Sequence, residues 1–180
     1  GRCSIAKGFK ELANAWAVAH EQLPNYYLVL QMPNNSGENG YFMEINEILK
    51  DIPRVIIIDN FNPDIWKTVL RTENTEVVCI PSLMDPFPHT SIEAKLFSKD
   101  MNFITLISDV DGAVDAFENN ECIYVDPRNT DIFAGKIIEA ANLTSKERRE
   151  IINRNILSIE KFNYPKIIEK FIKLNSVSFS

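Results

Sequence analysis

Cysteine and histidine are scarce in this sequence, with three and two among 180 residues. Cys3, Cys79 and Cys122 form neither a CxxC pair nor a Cys/His spacing typical of a metal site. An odd number of cysteines in strand-like and turn-like segments favours reduced thiols in a cytosolic protein. We interpret them as small buried hydrophobic residues, and the sequence predicts no metal site.

Long apolar runs and an excess of positive charge are also missing. No run reaches the roughly 18 apolar residues of a membrane-spanning helix, and no basic segment leads into an apolar leader, so we expect a soluble protein. The formal net charge is −6, whereas nucleic-acid-binding proteins usually carry a basic face for the phosphate backbone. No nucleic-acid partner is expected, although a local basic cleft for one diphosphate is compatible with this charge.

Short apolar runs alternate with longer helical patterns in a chain that is 45% hydrophobic and 24% charged. This alternation is typical of repeated βα units around a parallel sheet, and the length suffices for one well-buried core. The predicted strands are Tyr26–Gln31, Arg54–Ile58, Glu76–Ile80, Phe103–Ile107 and Cys122–Val125. The predicted helices are Lys7–Leu23, Glu38–Lys50, Pro63–Thr72, His89–Ser98, Ala113–Glu118, Asp131–Ala141, Ser145–Phe162 and Pro165–Asn175.

A polar stretch follows the third predicted strand and leads into a helical pattern. Ligands of open parallel sheets bind beyond the carboxyl ends of the strands, where a helix N-terminus offers N–H groups to a phosphate. Asp85 lies in this stretch and Glu93 about one turn inside the helix, with seven residues between them. Either acid alone would indicate only a solvated charge. The pair resembles the E-x7-E motif of retaining GT-B glycosyltransferases of family four, with Asp replacing the first Glu.

Further motifs of the same family follow in the expected order. The opening segment Gly1–Gly8 resembles its G-R-x4-K-G motif. Segments 108–112 and 122–127 resemble its S-D-x-G-G turn and its G-x-L-V-D-P motif, and segment 162–169 resembles its closing F-S-W-x-K helix. This ordered set covers nearly the whole chain. The resemblance implies an α/β fold, a Rossmann-like parallel sheet flanked by helices that forms one half of a GT-B enzyme.

The resemblance also implies roles for individual residues. Arg2 and Lys7 would neutralise the donor diphosphate and, together with Asp85, are the expected catalytic residues. Asp85 would contact hydroxyls of the transferred sugar, and Glu93 would bind the ribose. The expected nucleotide-sugar-binding residues are Arg2, Lys7, Asp85, His89, Thr90 and Glu93. No metal and no cofactor is expected besides the nucleoside diphosphate sugar, which is the donor substrate.

Several positions depart from the family pattern. Pro88 replaces a glycine and removes a backbone N–H that would face the ligand. Asp111 places a side chain where the family has the first glycine of a pair, and Ser98 stands for the glycine that ends the helix. Segment 99–102 is interpreted as a short insertion before the next strand. These changes concern contacts with the donor's sugar and base more than the fold.

The resemblance implies one nucleotide-sugar-binding domain over residues 1–180, with C-terminal helices from about residue 145 and the N-terminal acceptor domain absent from this chain. As part of a longer protein, it would move a hexosyl group from a nucleoside diphosphate sugar to a glycan or lipid-linked acceptor in polysaccharide biosynthesis. The isolated domain is expected to be inactive. Its expected location is the cytoplasm, or the inner face of a membrane reached through the missing half.

Two alternatives to a glycosyltransferase stay open. A non-catalytic nucleotide-sugar-binding or scaffolding homologue would keep the fold and lose motif residues, as the departures suggest. A GT-B epimerase or phosphorylase would share the sheet with different sugar or cofactor contacts. The sequence of the missing half would separate these possibilities.

The remaining basic and aromatic residues have simpler interpretations. His20 lies on the first helix and is expected to be a surface or partly packed residue, and His89 is assigned no direct catalytic role. Trp16 lies among apolar neighbours at helical positions, which predicts core or groove packing. Residues 146–150, which include Arg148, alternate basic and acidic side chains, and this pattern predicts a solvated helix face.

Overall fold

The computed structural model describes residues 3–33, 39–60, 62, 68–71, 75–84, 89–110, 112–118 and 120–158. The strands are β1 (Leu28–Gln31), β2 (Val55–Ile58), β3 (Val77–Ile80), β4 (Ile104–Ser108) and β5 (Ile123–Val125). The α-helices are α1 (Phe9–Ala19), α2 (Asn39–Leu49), α3 (His89–Met101), α4 (Gly112–Asp115), α5 (Thr130–Ala141) and α6 (Ser145–Ser158). Short 3-10 turns at Ile5–Lys7 and His20–Gln22 flank α1, and residues 68–71 are helical.

The described strands pair in parallel. β1 pairs with β2, and β3, β4 and β5 form a second sheet in that order. Ile80 lies opposite Ile107, and Ser108 lies opposite Val125, so the three strands of the second sheet end on one side. We call this side the carboxyl edge and the side where the strands begin the amino edge. The predicted α/β fold with parallel strands flanked by helices is confirmed.

Strand β4 shows how the layers are arranged, because all of its residues are buried. Ile104 and Leu106 lie in a large apolar core with Trp16 of α1, Phe133 of α5 and side chains of β1. Ile107 instead packs in a second core with residues of α3. Since alternate residues of a strand point to opposite faces, helices cover both faces of β4. This burial explains why β4 is a mostly apolar run. The sequence predicts the bounds of the five described strands to within two residues.

The end of α3 differs from the prediction. The pattern predicts a helix end at Ser98, whereas α3 continues through the expected insertion, and Asn102 follows with a φ of 57°. Ser98 is buried, and its hydroxyl donates to the Lys95 carbonyl at 2.9 Å and accepts from the Asn155 amide of α6 at 2.6 Å. Packing against α6 therefore holds this serine inside the helix, which ends at an asparagine that tolerates the left-handed conformation.

The start of α6 matches its sequence pattern, in which Thr144 precedes the helix and Glu147 follows three residues later. The Thr144 amide donates to the Glu147 carboxylate at 2.9 Å, and the Glu147 amide donates to the Thr144 hydroxyl at 3.3 Å. Hydrogen bonds from the Thr144 hydroxyl and amide lower the pKa of Glu147. The predicted helix Pro165–Asn175, the closing segment 162–169 and most of the predicted helix Pro63–Thr72 lie outside the described residues.

Arg148 shows that the prediction of a solvated face on α6 was wrong at one position. Its buried guanidinium donates to the Glu76 carbonyl at 2.7 Å and to the Glu76 carboxylate at 2.8 Å. The Tyr26 hydroxyl donates to the same carboxylate at 2.9 Å. The other residues of segment 146–150 are exposed as predicted. Alternating charges cannot reveal which side chain of a helix faces a sheet, because that depends on how the helix packs.

A second ion pair is buried between α3 and the segment before β5. Lys95 is 0% exposed, and its ammonium group donates to the Glu121 carboxylate at 2.7 Å and to the Ala116 carbonyl at 3.1 Å. The Glu118 amide donates to the same carboxylate at 2.7 Å. Burial by itself raises the pKa of Glu121, but hydrogen bonds from Lys95, Ser158 and the Glu118 amide outweigh it, so this pKa is lowered. Glu121 is therefore ionised and paired.

Candidate functional site

The loop that contains Lys7 rests on the loop that follows β3. The carbonyl oxygen of Ala6 accepts hydrogen bonds from the amides of Leu83 at 2.9 Å and Met84 at 3.4 Å. The Cys3 amide donates to the Pro33 carbonyl at 3.1 Å, just past the end of β1. Backbone hydrogen bonds therefore hold the Lys7 loop across the carboxyl ends of β1 and β3, where ligands of parallel sheets bind.

Gly8 makes this close contact between the two loops possible. Its φ is 66°, in the left-handed region, and it separates the 3-10 turn from α1. A Cβ atom at this position would lie 1.8 Å from the Pro81 carbonyl oxygen. Any side chain would force one loop to move and would strain the backbone as well. The glycine of the opening Lys-Gly pair thus allows Lys7 to reach the carboxyl edge.

Helix α3 begins at the same edge, beyond the loop that follows β3. His89 and Thr90 are its first residues, and Glu93 lies about one turn farther along. His89 and Glu93 are exposed, and Thr90 is half-buried. The first amides of a helix have no partner within the helix and carry a partial positive charge, which attracts anions. This end of α3 can therefore receive a phosphate group.

The structure describes part of the predicted donor site. The four described residues lie at the carboxyl edge: Lys7, His89, Thr90 and Glu93. The other two residues lie outside the described part of the chain: Arg2 and Asp85. Pro88 and Asp111, two departures from the family pattern, also lie outside it. Backbone hydrogen bonds thus hold the Lys7 loop against the loop after β3, in the stretch of chain before α3, while the roles of all six residues stay predictions.

A cation that the sequence motifs did not single out also lies at this edge. Arg128 follows β5, and its guanidinium donates to the Leu83 carbonyl oxygen at 3.2 Å. The Arg128 amide donates to the Asp126 carboxylate at 3.0 Å, which fixes the turn after the strand. The available indication was its position, because a basic residue directly after the V-D-P segment must lie near the carboxyl end of a predicted strand.

A groove of about 650 Å³ lies beside the end of β4, lined by Asp109, Val114, Phe117, Glu118 and Tyr124. None of the four described donor-binding candidates lines it. The carboxylates of Asp109 and Glu118 give this groove a negative charge that disfavours a diphosphate. The Tyr124 hydroxyl donates to the Phe117 carbonyl at 3.0 Å, and burial raises the pKa of this hydroxyl, so Tyr124 stays neutral near neutral pH. Lys7 and the first amides of α3, which do not line this groove, are therefore the candidate groups for binding an anion.

The cysteines do not suggest nucleophilic chemistry. Burial raises the pKa of the Cys79 and Cys122 thiols to about 12, which leaves no reactive thiolate near neutral pH. Cys3 and Cys122 are buried and Cys79 is half-buried, and all three are reduced thiols, as predicted. No group of three or more His, Cys, Asp or Glu side chains among the described residues could hold a metal ion. In the same part of the chain, no helix has the length and apolar character needed to cross a membrane.

Solved structures share this fold. The N-terminal domain of trehalose-6-phosphate phosphatase from Candida albicans is 18% identical, with a TM-score of 0.77 over 89% of this chain and 36% of that one. The trehalose-6-phosphate protein from E. coli bound with UDP-2-fluoro glucose is 17% identical, with a TM-score of 0.80 over 96% of this chain and 42% of that one. The α,α-trehalose-phosphate synthase (UDP-forming) from Burkholderia vietnamiensis is 15% identical, with a TM-score of 0.75 over 96% of this chain and 43% of that one.

These similarities concern the fold, since sequence identity is low. They confirm the predicted Rossmann-like architecture of one GT-B half. A scan of family models and a search of curated proteins find no match. The chain spans less than half the length of each of the three structures.

Proposed function

We propose that this chain is the donor-binding part of a glycosyltransferase that takes a hexosyl group from a nucleoside diphosphate sugar. The contact between the Lys7 loop and the loop after β3 carries this proposal. It holds the loop of Lys7, a cation, at the carboxyl edge of a parallel sheet, where α3 also begins, and both features attract phosphate. A solved structure of the same fold is bound with UDP-2-fluoro glucose, which supports this class of donor.

In this proposal, the donor diphosphate lies between Lys7 and the first amides of α3. As the bond between the sugar and the diphosphate breaks, negative charge develops on the leaving diphosphate. Lys7, Arg2 and the helix amides stabilise that charge, so these groups lower the barrier electrostatically. Arg2 contributes a planar fork of donors and Lys7 a compact charge. No metal ion or additional cofactor has a role in this scheme.

Two carboxylates provide recognition of the donor's hydroxyl groups. Glu93 is exposed one turn inside α3, where it can accept hydrogen bonds from the ribose of a nucleotide bound at the helix start. Asp85, in the loop before α3, contacts hydroxyls of the transferred sugar. Ionised carboxylates suit both tasks because they accept hydrogen bonds on two oxygens. His89 and Thr90 add polar groups at the phosphate end of the same helix.

The acceptor is proposed to bind to another part of a longer protein. The chain spans 36% to 43% of the three solved structures described above, so a complete enzyme would have a second half facing this carboxyl edge. A glycan or lipid-linked acceptor in the cytoplasm, or at the inner face of a membrane, fits a role in polysaccharide biosynthesis. The 180-residue chain alone should then bind donor weakly and turn over little or nothing.

The experiment begins with a thermal-shift screen of UDP, GDP and ADP, because a ligand that binds only the folded state raises the melting temperature. Calorimetry then compares the best diphosphate with its monophosphate at low and high salt. We expect tighter binding of the diphosphate and a smaller difference at high salt, where the cationic side chains are screened. Equal affinity for the two nucleotides at low salt would contradict a diphosphate site.

A non-catalytic nucleotide-sugar-binding protein is the second candidate. Pro88 and Asp111 favour it, since they replace residues that approach the donor in the family resemblance. The longer protein separates the two candidates when it is incubated with a donor that it binds. Release of the nucleoside diphosphate from the donor supports a transferase, whereas binding without release supports the non-catalytic homologue.

A further inference from the structure

We propose that Arg128 is an additional binding residue of the donor site and that its guanidinium contacts the diphosphate. This inference rests on the proposed function. It follows from the hydrogen bonds of one residue, Leu83, whose amide donates to the Ala6 carbonyl at 2.9 Å. The Leu83 carbonyl accepts from Nη2 of Arg128 at 3.2 Å. Leu83 therefore lies between the Lys7 loop and Arg128, and β5 brings a second cation to the same place.

The Arg128 guanidinium has donors left for a ligand. Its side chain is 58% exposed, and Nη1 is 4.0 Å from the nearest Asp126 oxygen, which is too long for a hydrogen bond. A guanidinium carries five N–H groups in a planar fork, so the hydrogen bond to Leu83 uses a small part of its capacity. That hydrogen bond also restrains the side chain over the loop after β3. Such a fork matches two oxygens of a phosphate group.

The acidic residues nearby reduce the positive potential but do not cover the guanidinium. Asp126 accepts a hydrogen bond from the Arg128 amide at 3.0 Å, so this carboxylate is already held in the turn after β5. Asp109, the residue that follows β4, is exposed to solvent as well. Because Asp126 acts on a bound anion through charge alone, its removal provides a control for long-range electrostatics. An asparagine at position 126 would still accept the amide hydrogen bond.

The test measures binding of UDP, UMP and uridine to the 180-residue chain by calorimetry at low and high salt. For Arg128→Gln, we expect UDP binding to weaken about three- to tenfold at low salt, UMP binding to weaken less and uridine binding to stay unchanged. The loss should shrink at high salt. Arg128→Lys keeps the charge without the fork and should give an intermediate affinity. Asp126→Asn should leave UDP binding unchanged or slightly tighter.

Two results would overturn the assignment. Arg128→Gln could bind UDP as tightly as the parent, or it could lose the same factor for uridine as for UDP, which would mean that Arg128 acts only by holding the loop. The melting temperature should be unaffected because the side chain is exposed. If Arg128→Gln is nevertheless unfolded, Arg128→Lys replaces it in the test. An unchanged ratio of UDP affinity to UMP affinity in Arg128→Lys would then overturn the assignment. A parent chain without preference for UDP, GDP or ADP over the monophosphates contradicts the proposed function itself and this inference with it.

Discussion

Charged residues at the two edges of the second sheet differ in their burial and pairing. At the amino edge, the glutamates that precede β3 and β5 are paired with buried cations: Glu76 with Arg148, and Glu121 with Lys95. At the carboxyl edge, the charged residues that follow the strands are exposed, namely Asp109, Asp126 and Arg128. There the loops are held mainly by backbone contacts, such as those of Ala6 with Leu83.

This difference indicates which edge contributes more to the free energy of unfolding and which edge has charged side chains that a ligand can reach. Ion pairs tie α3 and α6 to the amino edge: Lys95 and Glu121 are both buried, and Arg148 is buried against a partly exposed Glu76. Exposed charges contribute little to stability because water and salt screen them, but they remain available to a ligand. The carboxyl edge is therefore held in shape mainly by its backbone, and the side chains of Asp109, Asp126 and Arg128 are exposed there.

Removing the ion pair between Lys95 and Glu121 at the amino edge should have the largest effect on stability. Lys95→Met leaves the Glu121 carboxylate buried without its cation, so we expect the free energy of unfolding to fall by about 3–5 kcal/mol. Urea denaturation measures this change. The double variant Lys95→Met/Glu121→Gln removes the uncompensated charge and should regain part of the loss. A single variant as stable as the parent would show that this pair does not tie α3 to the amino edge.

At the carboxyl edge, the sharpest test of the backbone contacts is Gly8→Ala. The new Cβ meets the Pro81 carbonyl and the φ is unfavourable for alanine, so we expect a loss of about 2–3 kcal/mol and weaker nucleotide binding. Gly135→Ala in α5 is the matched control, because a Cβ there has no atom within 4 Å. That substitution should stabilise the chain by about 0.5–1 kcal/mol. Similar results for both variants would argue against the close approach of the two loops.

Glu93→Gln sharpens the distinction between stability and recognition. A hydrogen bond to a charged group contributes about 1.5–3 kcal/mol, so binding of the nucleoside diphosphate should weaken about ten- to a hundredfold. The melting temperature should not change, since Glu93 is exposed. Glu150→Gln, an exposed acid on α6, removes the same charge and should leave binding unchanged. If Glu93→Gln binds like the parent, Glu93 is an ordinary surface charge.

The smallest expected effect is a pH dependence that arises at the amino edge. Burial raises the pKa of Glu121, but the hydrogen bonds from Lys95, Ser158 and Glu118 dominate and lower it below its ordinary value of 4.5. The stability from this ionised group is therefore present above about pH 4.5 and is lost as the pH falls through the folded-state pKa. Unfolding free energies measured between pH 6 and pH 3 should decline more steeply for the parent than for Glu121→Gln. Parallel declines would mean that other carboxyl groups control the acid response.

Local sequence patterns determined much of the fold. The strands are short, mostly apolar runs, and the capping pair of Thr144 and Glu147 marks the start of α6. The order of the motifs also indicated the loop after β3 as the centre of the proposed site. These features depend on residues close together in the sequence, which is why a reading of the chain can find them.

Contacts between distant segments were decided only by the tertiary structure. Arg148 is buried against Glu76, 72 residues away, although its neighbours in the chain look like a solvated face. Arg128 reaches Leu83 across 45 residues, and Gly8 is required because Pro81 lies against it. The end of α3 depends on the contact of Ser98 with Asn155 of α6. The sequence alone determined the strands and most of the helix bounds, since short-range periodicity and caps act within one segment. Packing between segments determined the end of α3, which charges are buried at the amino edge and which stay exposed at the carboxyl edge.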